Sequence, residues 1–112
     1  MKVYFRTRKL AKLFGSEREL KRRWGKNMAG KIMRRVAELE YAPNLGVMFT
    51  IPGARCHQLK GDRSGQFAVD LVHPFRLVFR PFDDPIPLKE DGGIDVERVT
   101  SVEVIEVEDY HG

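Results

Sequence analysis

The run Ala54-Arg55-Cys56-His57-Gln58-Leu59-Lys60-Gly61-Asp62-Arg63-Ser64-Gly65-Gln66-Phe67-Ala68-Val69-Asp70-Leu71-Val72-His73-Pro74-Phe75-Arg76-Leu77-Val78-Phe79-Arg80 decides how this chain folds. Between turns marked by glycine and proline it alternates apolar and polar residues at period two, the pattern of half-buried antiparallel strands joined by tight connections. The spacing predicts strands over residues 55–59, 66–72 and 75–80. Lys60 to Gly65 supply the first connection, with Asp and Gly where turns favour them. His73-Pro74 supplies the second, because proline cannot donate to a ladder and belongs at a bend or edge. Phe67, Val69 and Leu71 share one face of a strand, and Phe75, Leu77 and Phe79 one face of the next. Arg76, Val78 and Arg80 fall on the opposite face. One face is therefore expected to build a core and the other to present cations.

Upstream, Val3 and Phe5 alternate with Lys2, Tyr4 and Arg6, which predicts a short first strand. Thr7 stands at an N-cap position before Leu10, Ala11 and Phe14 at helical spacing, with Gly15 as the stop. Ser16-Glu17-Arg18-Glu19 matches the capping box, in which the hydroxyl and the third-residue carboxylate each answer a free amide of the other. From there Leu20, Trp24, Met28, Ile32, Val36 and Leu39 recur every three or four residues to about Tyr41. This predicts a long amphipathic helix with a kink or break at Gly25, its apolar stripe facing a core. The polar side carries Arg18, Lys21, Arg22, Arg23, Lys26, Lys31, Arg34 and Arg35 with few acids between them. Such a charge run is either a solvated face or a surface that follows phosphates.

Ala42-Pro43-Asn44 ends the helix, and the uncharged segment up to Gly53 reads as a loop with one helical turn packed over the core. Residues 81–98 hold Pro81, Pro85, Pro87, Gly92 and Gly93 among acids and read as a long irregular excursion. A last strand is expected over residues 99–110. Its apolar phase slips from even positions at Val102 and Val104 to odd ones at Ile105 and Val107. Either both its faces are covered or a bulge lies near Val104, and a central place in the sheet is favoured.

A chain of 112 residues with 42% hydrophobic residues and seven Phe fits one domain, 1–112, around one core. The net charge of +4 conceals an asymmetry, since residues 1–80 carry 18 Lys and Arg against 6 Asp and Glu, and residues 81–112 carry 2 against 10. A body of about +12 beside a tail of about −8 favours a polyanion such as nucleic acid. Cys56 stands alone, so no intrachain disulfide forms and a reducing compartment suits the chain. The longest uncharged run, residues 41–54, is broken by Pro43, Gly46, Pro52 and Gly53, short of the roughly 20 apolar residues that span a bilayer. A soluble cytoplasmic protein with no membrane partner is expected.

The groups with chemical capacity are His57, Lys60, Arg63 and Arg76 in the middle stretch and Asp109, Tyr110 and His111 at the end. Cleaving RNA without a metal needs a base for the 2′-hydroxyl proton, an acid for the leaving 5′ oxygen, and cations for the charge growing on phosphorus. Imidazole suits the first two tasks because its ordinary pKa of about 6.5 lies near the working pH, and Arg and Lys suit the third. Taken singly, each has a plainer reading: His57 as an edge-strand or core histidine, His111 as a frayed tail, Tyr110 as a packing aromatic, the cations as solvated surface, and His73 as structural. Adjacent Cys56 and His57 with two scattered histidines have no zinc-type spacing. No Gly-rich phosphate loop, Gly-x-Ser-x-Gly or Cys-x-x-Cys is present either, and no cofactor is expected.

Three pieces taken together, residues 55–67 with His57-Gln58-Leu59-Lys60-Gly61-Asp62-Arg63, residues 73–79 with His73-Pro74-Phe75-Arg76-Leu77-Val78-Phe79, and the terminal Asp109-Tyr110-His111, resemble the RelE/ParE superfamily of bacterial toxins. Within it they are most similar to the HigB-like "killer protein" branch of type II toxin–antitoxin systems. Trp24-Gly25 and the helix after it are also in character. The resemblance implies an α+β fold with two N-terminal helices packed on a small, mostly antiparallel twisted sheet. It implies a ribosome-dependent, metal-free mRNA endonuclease that inhibits translation, neutralised by a HigA-like helix-turn-helix antitoxin. His57, Lys60, Arg76, Asp109, Tyr110 and His111 match the active-site group in that resemblance, and Arg22, Arg23, Lys26, Arg34 and Arg63 would lie along ribosomal RNA. The alternatives are a ParE-like inhibitor of DNA gyrase, which has no chemical need of the polar set, and a non-catalytic RNA-binding regulatory module, which the charge asymmetry would equally explain.

Overall fold

In the computed structural model, which describes residues 1–110, five strands form one sheet. They are β1 (Lys2–Phe5), β2 (His57–Gln58), β3 (Phe67–Asp70), β4 (Phe75–Pro81) and β5 (Ser101–Asp109), in the spatial order β1-β5-β4-β3-β2. β5 is central, as its two-sided apolar pattern predicts: β1 runs parallel to it on one side and β4 antiparallel on the other. The phase slip in its sequence is a bulge. Val78 pairs with Glu106 but Phe79 with Val104, so Ile105 is the extra residue. The bulge keeps Val102 and Val104 in the main core and turns Ile105 to the other face.

The helices are α1 (Arg8–Phe14), α2 (Glu17–Trp24), α3 (Lys26–Tyr41) and α4 (Leu45–Met48). Thr7 and Ser16 cap α1 and α2 by accepting from the amides of Leu10 and Glu19. Only half of the expected capping box forms, because the Ser16 amide donates to Leu13 O and the Glu19 carboxylate turns to Arg22. The long helix is broken rather than kinked, since Gly25 takes φ +87°, a left-handed conformation that ends α2 and starts α3. α4 is the expected single turn over the core, capped by Asn44.

Leu20, Met28, Ala29, Ile32 and Leu39 from the helices meet Phe67, Val69, Leu77, Phe79, Val102 and Val104 from the sheet in one apolar cluster. Phe67 and Phe79 stack at 6.1 Å with no exposure, each contributing roughly 1.5–3 kcal/mol by burial. One member of the basic helix face belongs to this interior. Arg35 is 3% exposed, and it donates to Asp70 O at 2.8 Å, Gly53 O at 2.9 Å and Glu38 at 2.9 Å. It is a strut between α3, β3 and the turn before β2, not a surface cation. Lys21, Arg22 and Arg34 of the same face are paired with Glu17, Glu19 and Glu38, so the acids there compensate more than their number suggests.

The excursion from Pro81 is better ordered than its composition suggests. Leu88 and Ile94 bridge, a 3-10 turn follows at Val96–Arg98, and α4 lies so close that a Cβ on Gly46 would meet Glu97 at 3.2 Å. The Asp83 carboxylate closes its base by accepting from the amides and hydroxyls of both Thr100 and Ser101 at 2.8–3.1 Å. No helix among the described residues is long and apolar enough to cross a membrane.

Candidate active face

The helices cover one face of the sheet. The other face has a small apolar floor of Leu59, Ala68, Val78 and Ile105, and the strand register lays polar side chains across it in rows. Asp70, Arg76 and Glu108 stand opposite one another in one row, with Arg55 reaching Asp70 at 3.6 Å. His57, Ala68, Val78 and Glu106 form the next. Arg80 and Glu103 stand beyond it, beside a cleft of about 350 Å³ lined also by Arg6, Gln66 and Ile105.

The cations expected on this face are there, but they are not bare. Arg80 Nε donates to Glu103 at 2.8 Å, and Arg76 donates to Glu108 Oε1 through Nε at 2.7 Å and Nη2 at 2.6 Å. Arg63, from the turn after β2, donates to Gln66 at 2.8 Å and Glu106 at 2.6 Å and also pairs with Glu108. The glutamates of β5 are the residues that the sequence reading missed. Their signal was partial: acids recur along β5 as arginines recur along its antiparallel neighbour, but Arg76 and Arg80 stand four positions apart and their partners Glu108 and Glu103 five. Pairing them correctly requires knowing where the bulge falls.

Of the active-site candidates, Arg76 and Tyr110 are in contact, the guanidinium lying 4.7 Å from the ring centroid while the Tyr110 amide donates to Pro74 O. Asp109 ends β5 opposite Phe75. His57 is exposed on the edge strand, about 10 Å from β4 by two strand spacings. Its Nδ1 lies 2.8 Å from Arg55 O, an atom that only accepts, so Nδ1 carries the hydrogen and Nε2 is the basic nitrogen. Lys60 is exposed in the turn after β2 and has no ion pair among the described residues. His111 lies outside the described residues. Of the ribosomal-RNA candidates, Arg22, Arg23, Lys26 and Arg34 remain exposed on α2 and α3, Arg23 lying 5.0 Å over Trp24, whereas Arg63 belongs to the sheet network.

Burial pushes the Cys56 thiol up to about 12, so it is held protonated and unreactive. Burial also works against ionisation of Glu108, but the hydrogen bonds and charges of Arg76 and Arg63 outweigh it and hold that carboxyl below its ordinary range. Asp83 behaves likewise, burial being outweighed by its hydrogen bonds from Thr100 and Ser101. The hydrogen bond that Arg63 donates to Glu106 is the largest influence that raises its guanidinium above the usual value. Two carboxyls with depressed folded values add stability that is complete above the unfolded values, at about pH 4–5, and lost as pH falls through the folded ones. Melting temperature is therefore expected to drop between about pH 5 and pH 3, and less steeply in an Asp83→Asn, Glu108→Gln double variant. Equal slopes in the two proteins would show that neither carboxyl carries the acid response. No group of three or more His, Cys, Asp or Glu among the described residues is placed to hold a metal ion.

This arrangement of helices over one face of a five-stranded sheet has a counterpart among solved structures. The chain superposes on a YoeB/ParE toxin from Agrobacterium tumefaciens with a TM-score of 0.60 and 17% sequence identity, over 99% of this chain and 100% of that one. No family model and no curated protein matches the sequence. The chain thus shares the α+β fold of that toxin, as the sequence resemblance implies.

Proposed function

We propose that this chain is a toxin of a type II toxin–antitoxin pair, a single HigB-like domain that acts in the cytoplasm as a ribosome-dependent, metal-free mRNA endonuclease. The observation that carries the reading is the joint presentation of His57, Arg76 and Tyr110 on the uncovered face of a sheet with a toxin's fold. Lys60 and Arg76 hold the scissile phosphate. His57, through Nε2, and His111 share the two proton transfers. Tyr110 stacks on or orients a base or the 2′-hydroxyl, and Asp109 orients a neighbouring histidine. The exposed Arg22, Arg23, Lys26 and Arg34 lie along ribosomal RNA, and a HigA-like antitoxin is the expected partner.

The test is to induce the chain in bacteria that lack an antitoxin and to map mRNA 5′ ends. Cuts inside translated codons are expected. Growth arrest with intact mRNA would replace this reading with ParE-like inhibition of DNA gyrase. No arrest, with salt-sensitive RNA binding and no cleavage, would reduce the chain to a regulatory RNA-binding module.

A further inference from the structure

Glu108 is held from two sides. Its Oε1 accepts from Nε and Nη2 of Arg76, and its Oε2 meets Nη2 of Arg63. One arginine comes from β4 and the other from the turn after β2, so the carboxylate rests in a cradle with one oxygen on each guanidinium. A phosphodiester presents the same chemistry, a single negative charge shared by two non-bridging oxygens that guanidinium N–H groups accept readily. Arg80, paired one to one with Glu103, forms no such cradle.

We propose that Arg63 and Arg76 form a seat for one RNA phosphodiester, and that Glu108 fills that seat in the free protein, so that a phosphate enters only by displacing it. The inference deepens the nuclease reading and rests on it for the source of the phosphate. Two arginines are matched by Glu106 and Glu108, which leaves the cluster neutral and a phosphate without net attraction until one carboxylate leaves. The seat is within reach of solvent, since the side chains of Arg63 and Arg76 are 24% and 17% exposed. Tyr110 lies against the Arg76 guanidinium and keeps it in place when the carboxylate moves out. The face is thereby self-masked, and the weak attraction of the free toxin for RNA at this point becomes a property set by one side chain.

Glu108→Gln removes the charge and keeps the size. With purified protein and a single-stranded RNA of about 12 nucleotides, it is expected to bind about tenfold more tightly than the parent chain, with a salt dependence steeper by about 0.7 in log–log slope for the one phosphate gained. Its melting temperature is expected to rise by several degrees in about 20 mM inorganic phosphate while that of the parent does not. Glu103→Gln is expected to change neither readout, and adding Arg63→Gln to Glu108→Gln is expected to cancel the gain. A folded Glu108→Gln chain that binds RNA no better and ignores phosphate would overturn the proposal and leave Glu108 a structural strut. Should that variant not fold, Glu108→Asp, which retreats from one arginine, is read instead, with about threefold tighter RNA binding expected and unchanged binding overturning the proposal. These measurements need no ribosome. A gain in phosphate and RNA binding without any mRNA cutting would sink the nuclease reading and keep the seat, and cutting with unchanged Glu108→Gln binding would do the reverse.

Discussion

A His57→Ala chain is expected to fold and to bind its antitoxin as the parent does, and to cut mRNA on the ribosome about 10²–10⁴-fold more slowly, the usual loss when a positioned acid or base is removed. The fold survives because the imidazole is exposed on the edge strand and its one hydrogen bond among the described residues is to the Arg55 carbonyl two residues away. Surface substitutions of that kind usually move stability by no more than about 0.5 kcal/mol. Activity suffers because the ring lies on the face that carries Arg76 and Tyr110, with no hydrogen bond at Nε2 among the described residues. His111→Ala, at the position beyond the described residues, is expected to have a loss of the same order. Single-turnover cleavage on programmed ribosomes measures both, and wild-type rates in the two variants would remove the histidines from the mechanism.

Arg35→Ala is expected to be the most damaging single change to stability, at about 3–5 kcal/mol, the range found when one partner of a buried ion pair is removed. Each of its three guanidinium nitrogens donates a hydrogen bond, to Glu38 or to the carbonyls of Gly53 and Asp70, so alanine strands two acceptors and removes most of the neutralising charge at Glu38. Against a typical total of about 5–15 kcal/mol for a domain, such a loss leaves a large unfolded fraction. Lysine keeps the charge but not the fork, and is expected to recover only part of the loss. Chemical denaturation reads this as a lower midpoint at unchanged slope. A shift under about 1 kcal/mol would mean that Arg35 is not the strut that joins α3 to β3.

Much of the architecture was written in local pattern. Period-two alternation placed β3, β4 and β5, capping residues placed α1 and α2, and Gly25 marked the break between α2 and α3. Those signals depend on neighbours within about four residues, which is why they survive in a single sequence. The apolar phase slip in β5 left a choice between two covered faces and a bulge near Val104, and the structure has the bulge, at Ile105, in a strand flanked on both sides. The candidates His57, Lys60, Arg76 and Tyr110 came from residue type together with the resemblance to the toxin superfamily, and the fold sets His57, Arg76 and Tyr110 on the open face with Lys60 exposed in the turn beside it.

The charge state of that face was not legible, because it depends on which residues meet across strands distant in sequence. Arg76 and Glu108 are 32 positions apart and Arg63 and Glu106 are 43 apart, and a repeat of charges along one strand does not say what stands opposite it. The bulge sharpens the point: without the extra residue at Ile105, the partner of Arg80 would be Val104 rather than Glu103. Arg35 shows the same limit in a helix, reading by charge as surface and placed by tertiary contact in the interior. The sequence by itself determined the elements, their order and the residue types available for chemistry, because short-range sterics and periodic burial act locally. Only the tertiary structure decided which cations stay open to a partner and which are already occupied, because pairing energy depends on distance through space and on the water excluded around each pair.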